Sequence, residues 1–151
     1  MARIGIITCS NCAQETNCSS VVCLSDMRKR KGRFDCYPKE EPLDLVGFVH
    51  CTGCPTNVAS GKILRRIRSL ADYKIDALHF SYCMTVLCPF LGKYEKEIKK
   101  SYPDLKIVHG THQPVDSEMF KKAVNEMLCP TVKMPQDMND LIKRQFTFPE
   151  G

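Results

Sequence analysis

Four short apolar runs, interleaved with stretches of helical spacing, constrain this chain more than any other feature. Arg3–Thr8 (RIGIIT), Asp44–His50 (DLVGFVH), Ile75–Ser81 (IDALHFS) and Leu105–His109 (LKIVH) are short and rich in β-branched residues. They read as buried strands. Across Thr56–Ala71, apolar residues fall at Val58, Ala59, Ile63, Leu64, Ile67, Leu70 and Ala71, with the arginines on the opposite face. Pro55, Thr56 and Asn57 supply start signals for that helix. Leu91, Tyr94, Ile98 and Tyr102 mark another, stopped by Pro103 and carrying a Glu95–Lys99 pair at i,i+4. Ser117 caps a third, which turns Phe120, Ala123, Val124, Met127 and Leu128 inward and ends at Cys129-Pro130. Ser20–Lys31 reads as a helix ended at Lys31-Gly32, Lys39–Pro42 as a loop, and Asp137–Arg144 as a short last helix. This alternation predicts an α/β fold: a three-layer α/β/α arrangement, flavodoxin-like or Rossmann-like, on a mostly parallel sheet of about four strands. One domain over residues 1–151 is expected.

A chain of 151 residues buries a core without disulfide staples. No apolar run approaches the roughly 18 residues of a membrane span, and the start, Met1–Ile7, is too short for a secretory signal. The expectation is a cytoplasmic protein with no membrane partner. In a reducing compartment its ten cysteines read as metal ligands or redox groups rather than disulfides. The net charge is +5, concentrated on Arg28, Lys29, Arg30, Lys31 and Arg33 and on Lys62, Arg65, Arg66 and Arg68. With 8% aromatic residues and no Trp, a nucleic-acid partner is disfavoured, and solvated helix faces are the simpler reading.

The cysteines fall where strands end. Cys9 follows the first strand and Cys51 the second, Cys83 lies just past the third, and His112 follows the fourth in Gly110-Thr111-His112. In an open parallel sheet all strands end at one edge, and ligands bind in the crevice there. Each position has a neighbour. Cys51-Thr52-Gly53-Cys54 is a C-x-x-C whose glycine permits a tight turn, so that both sulfurs can face one ion. Cys54-Pro55 stands at a helix start, where the positive helix end favours a thiolate. Cys9 and Cys12 form a second C-x-x-C, Cys18 and Cys23 are five apart, and Cys83 and Cys88 are five apart around a loop closed by Pro89. Cys36 and Cys129 fit small buried core residues, and Cys12 fits either role. His50 can orient a ligand through a hydrogen bond, His79 reads as a satisfied core histidine, and His109 turns to the far face. His112 is the best histidine ligand.

The run Ile4-Gly5-Ile6-Ile7-Thr8-Cys9, the pair Cys18 and Cys23, the segment Leu45–Pro55, His79–Cys83, Cys88-Pro89 and Gly110-Thr111-His112 together resemble the CGGC-domain family, small prokaryotic proteins associated with metal binding. The resemblance covers Arg3 to about His112. It implies shared metal positions at Cys9, Cys18, Cys23, Cys51, Cys54, Cys83, Cys88 and His112. This chain departs from the family at Thr52, which stands where the family has its first glycine. The added hydroxyl restricts the turn or donates to a sulfur.

Three functions compete. The first is a metal or cluster binder acting as carrier or sensor, with zinc on Cys51, Cys54, Cys83 and Cys88 or an iron–sulfur cluster on cysteine thiolates. The surplus of ligands leans toward the cluster. The second is a cluster-dependent enzyme with a small anionic substrate held by basic side chains. The third is a thiol–disulfide oxidoreductase working with a redox partner, in which Cys51 attacks and Cys54 resolves.

Overall fold

β1 (Ala2–Thr8) is a central strand, because its isoleucines face cores on both sides of one sheet. The computed structural model describes residues 1–54 and 61–128. In chain order the elements are β1, α1 (Ser10–Glu15), α2 (Val21–Lys29), a 3-10 turn at Gly32–Phe34, β2 (Leu43–His50), α3 (Gly61–Asp72), β3 (Ala77–Phe80), α4 (Tyr82–Leu87), α5 (Leu91–Ser101), β4 (Lys106–His109) and α6 (Ser117–Leu128). The strand order is β2-β1-β3-β4 and every pairing is parallel. That is the order of the first four strands of flavodoxin-like folds, with the switch point between β1 and β3.

Helices cover both faces, giving three layers. On one face Ile7, Leu78 and Phe80 meet Ile63, Ile67 and Leu70 of α3 and Tyr94 and Ile98 of α5. On the other, Ile4, Ile6 and Ala77 meet Met27 of α2, Phe34 and Tyr37. The alternation along β1 produces this split, since successive side chains point to opposite faces. Register pairs Thr8 with His50, Ile7 with Phe80, and Phe80 with His109, so all four strands end at one edge.

All four expected strands form: the first two each begin one residue earlier, the third loses two residues at its start and one at its end, and the fourth loses one at its start. The helices over α3, α5 and α6 also form. Residues 55–60, with the start signals of the first of these, lie outside the described residues, as do Cys129 and the expected helix over Asp137–Arg144. The helix expected at Ser20–Lys31 spans Val21–Lys29 and ends on Arg30 in the left-handed region. Ala123 is exposed rather than inward, whereas Val124 is buried. The Glu95–Lys99 pair does not form: Glu95 meets His109 at 2.9 Å, and Lys99 donates to the Leu105 carbonyl at 2.6 Å. Two short helices were not foreseen. α1 and α4 each have six residues, fewer than two turns, too few to show a periodic stripe.

Candidate metal and thiol centre

Each cysteine-bearing segment starts where a strand runs out. Cys9 leaves β1 and caps α1, its sulfur accepting the Cys12 N–H at 3.4 Å. Cys51 leaves β2 beside it, its N–H donating to the Thr8 carbonyl at 2.8 Å. Because Thr8 and His50 are register partners, Cys9 and Cys51 occupy equivalent positions on strands about 4.8 Å apart. Gly53 takes φ 97°, the turn its lack of a β-carbon allows. The Ser81 hydroxyl caps α4 and hydrogen-bonds Cys83 at 3.0 Å. Cys83 and Cys88 are therefore joined by a helix, not by the loop expected from sequence.

The cysteines divide between two cavities. The smaller, about 210 Å³, is lined by Cys9, Cys12, Cys51, Cys54 and Cys88. The larger, about 700 Å³, is lined by Cys12, Cys18, Cys23, Cys83 and His112. Cys18 and Cys23 thus join Cys83, not Cys51. Cys12 lines both, and sequence reading had left it undecided. The signal that could have found it is its position one helical turn after Cys9, in a second C-x-x-C. Cys36 is exposed, not the buried core residue expected, and donates to the Arg33 carbonyl at 3.3 Å. Its neighbours Phe34 and Tyr37 fill that part of the core instead.

Two sulfur pairs dominate the electrostatics. Cys51 neighbours the Cys9 thiol, takes a hydrogen bond from the Gly53 N–H at 3.4 Å and meets the Ser10 hydroxyl at 3.6 Å. These neighbours lower the Cys51 pKa to about 5, making it the thiolate of the pair and holding the Cys9 thiol well above its ordinary range. In the same way the neighbouring Cys12 thiol, with Ser81, lowers the Cys83 pKa to about 6. Cys12 is correspondingly raised, and burial raises Cys23 and Cys88. Cys54 accepts the Asn11 side-chain amide at 3.1 Å. The Thr52 hydroxyl, expected to restrict the turn or serve a sulfur, is buried without a hydrogen-bond partner.

The histidines separate cleanly. His79 is fully buried: its Nδ1–H donates to the Gly110 carbonyl at 3.0 Å, Nε2 accepts from the Tyr37 hydroxyl at 2.8 Å, and the ring stacks on Phe34. It is the satisfied core histidine expected. His50 bonds the Thr8 hydroxyl at 2.7 Å and so braces the residue before Cys9. His112 packs on Tyr82, and its Nδ1 donates to the Gln113 carbonyl at 2.8 Å, which leaves Nε2 for a ligand. Its turn is pinned by the Arg33 N–H on the Thr111 carbonyl at 2.9 Å and by Thr111 against Cys23 and the Tyr82 N–H, each at 3.1 Å.

As a donor set, five cysteines around one small cavity suit a thiophilic metal. Their present side-chain positions do not form a coordination shell. Among the described residues, no three His, Cys, Asp or Glu side chains gather where they could hold one ion. The zinc quartet Cys51, Cys54, Cys83 and Cys88 is split, because Cys83 lies in the other cavity. Neither lining includes a lysine or arginine among the described residues.

A parallel α/β/α sheet with cysteines clustered past its strand ends defines a cysteine-rich binding domain. The chain belongs to the CGGC-domain family, whose model matches residues 3–112. Membership supports a metal-binding role. Comparison with curated proteins and with solved structures gives no match. No described helix is long and apolar enough to cross a membrane.

Proposed function

We propose that the chain binds a thiophilic metal centre, an iron–sulfur cluster in preference to zinc, in the smaller cavity through Cys9, Cys51, Cys54 and Cys88. The observation that carries this reading is the convergence of four cysteines, from the ends of β1, β2 and α4, on one cavity of about 210 Å³. Cys51 is a thiolate at neutral pH, as ligation requires. Ligation requires these four side chains to turn toward a common point, because as they stand they form no coordination shell among the described residues. Cys12 and Asn11 complete the lining, and Phe90, Tyr94 and Met84 supply apolar wall that limits solvent access.

The test is metal and acid-labile sulfide content of protein purified without oxygen. Iron with matching sulfide, lost in both Cys51→Ser and Cys54→Ser, supports the cluster. Zinc alone, near one per chain, keeps the site and removes the cluster. Full metal retention in both variants removes the site.

A second reading is a thiol–disulfide oxidoreductase, favoured by the thiolate character of Cys51. In that case the resolving sulfur is Cys9, its neighbour across the strands, rather than Cys54, which contacts Asn11.

A further inference from the structure

The metal reading leaves the larger cavity, about 700 Å³, without a role. Its walls are largely apolar, built from Val21 and Val22 of α2, Val115, and Phe120 and Val124 of α6. Val21, Val22 and Val115 are 60%, 55% and 47% exposed, so three of the large apolar side chains this chain shows to solvent border one opening. Exposed apolar surface around a cavity marks a place for an apolar ligand. No described lysine or arginine lines it, which disfavours an anion.

The same cavity is lined by two neighbouring cysteines, Cys83 and Cys12. Cys83 is partly accessible and is held by the Ser81 hydroxyl at 3.0 Å. Cys12 lines the same cavity and is only 5% exposed. A reachable sulfur beside a buried one is the arrangement of an attacking and a resolving thiol.

We propose that this cavity is a thiol–disulfide exchange site for small disulfides with apolar organic groups, in which Cys83 attacks and Cys12 resolves. The Cys83 sulfur attacks one sulfur of R–S–S–R. The substrate S–S bond breaks, Cys83–S–S–R forms, and one RS⁻ leaves and takes up the Cys83 proton. Cys12 then attacks the Cys83 sulfur, a Cys12–Cys83 disulfide forms, and the second RS⁻ leaves with the Cys12 proton. The substrate disulfide is the oxidant. Its two electrons come from the two cysteines, and the products are two RSH.

The test uses the full-length reduced chain, its metal and sulfide content measured beforehand, and one equivalent of 2,2′-dithiodipyridine as the apolar probe. Peptide mass mapping of the wild type should show the Cys12–Cys83 disulfide as the main product. Cys12→Ser should instead stop at a thiopyridyl adduct on Cys83, and Cys83→Ser should give neither. Val22→Asp, placed on the exposed rim, should slow the apolar probe about tenfold while leaving cystine, a zwitterionic disulfide, unaffected. The proposal is overturned if the first adduct falls on Cys18, Cys36 or Cys54, or if the wild-type disulfide joins another pair. It is equally overturned if Val22→Asp slows cystine as much as it slows the apolar probe. Should Cys12→Ser fail to fold, the Val22→Asp comparison decides alone. The metal reading fails independently, on the metal content of the same samples.

Discussion

Replacing His79 by Phe should flatten the acid limb of this protein's stability curve. His79 is fully buried between Tyr37 and Gly110 with its ring on Phe34, and desolvation lowers its pKa from 6.5 to about 4. An unfolded chain takes up this proton below pH 6.5, while the folded chain refuses it until about 4. Between those values the unfolded state binds more protons, so stability rises with pH there. The contribution is full above pH 6.5 and is lost as pH falls toward about 4. By linkage, the loss at pH 4.5 relative to pH 7 is about 2.5 kcal/mol, a large part of the roughly 5–15 kcal/mol that holds a domain folded. The assay is urea unfolding of wild type and His79→Phe at pH 7 and pH 4.5, on metal-free reduced protein. The variant starts less stable, because the Tyr37 hydroxyl and the Gly110 carbonyl each lose a partner at about 1–3 kcal/mol. What the reasoning demands is a smaller difference between the two pH values, by about 2.5 kcal/mol. Equal losses in both chains would refute it, because the buried imidazole would then be no part of the acid sensitivity.

Alkylation of Cys51 by iodoacetamide, followed by peptide mass mapping of metal-free protein, should titrate near pH 5. In Cys9→Ala the midpoint should rise by about one to two pH units, the worth of one hydrogen bond to a charge, and an unmoved midpoint would show that Cys9 is not the donor. Gly32→Ala should destabilise the fold by more than about 1 kcal/mol, since φ is +59° and the new β-carbon would lie 2.5 Å from the Thr111 carbonyl oxygen. A thermal melt within experimental error of wild type would show that the turn carrying His112 is not held there. Cys36→Ala should leave metal content unchanged, because Cys36 lines neither cavity, and loss of metal would return it to the site.

Local pattern alone determined a good deal. β-branched runs and 3.6-residue stripes are short-range consequences of backbone sterics and burial, so the four strands and the helices over α3, α5 and α6 were legible. Parallel strands must end at one edge, so the gathering of Cys9, Cys51, Cys83 and His112 near that edge followed from order along the chain. The reading of His79 as a core residue followed from its apolar neighbours. Other features belong to the tertiary structure. Sequence spacing pairs Cys51 with Cys54, but the parallel register sets Cys51 beside Cys9, and proximity across strands outweighs proximity along the chain. α1 and α4 are too short to announce themselves, yet they place Cys12 against Cys83 and separate Cys83 from Cys88. α6 lends Phe120 and Val124 to the wall of the larger cavity. The division into two cavities, with Cys12 between them, is therefore a product of packing: it depends on where helices from distant parts of the chain cross the same sheet edge, which no local pattern encodes.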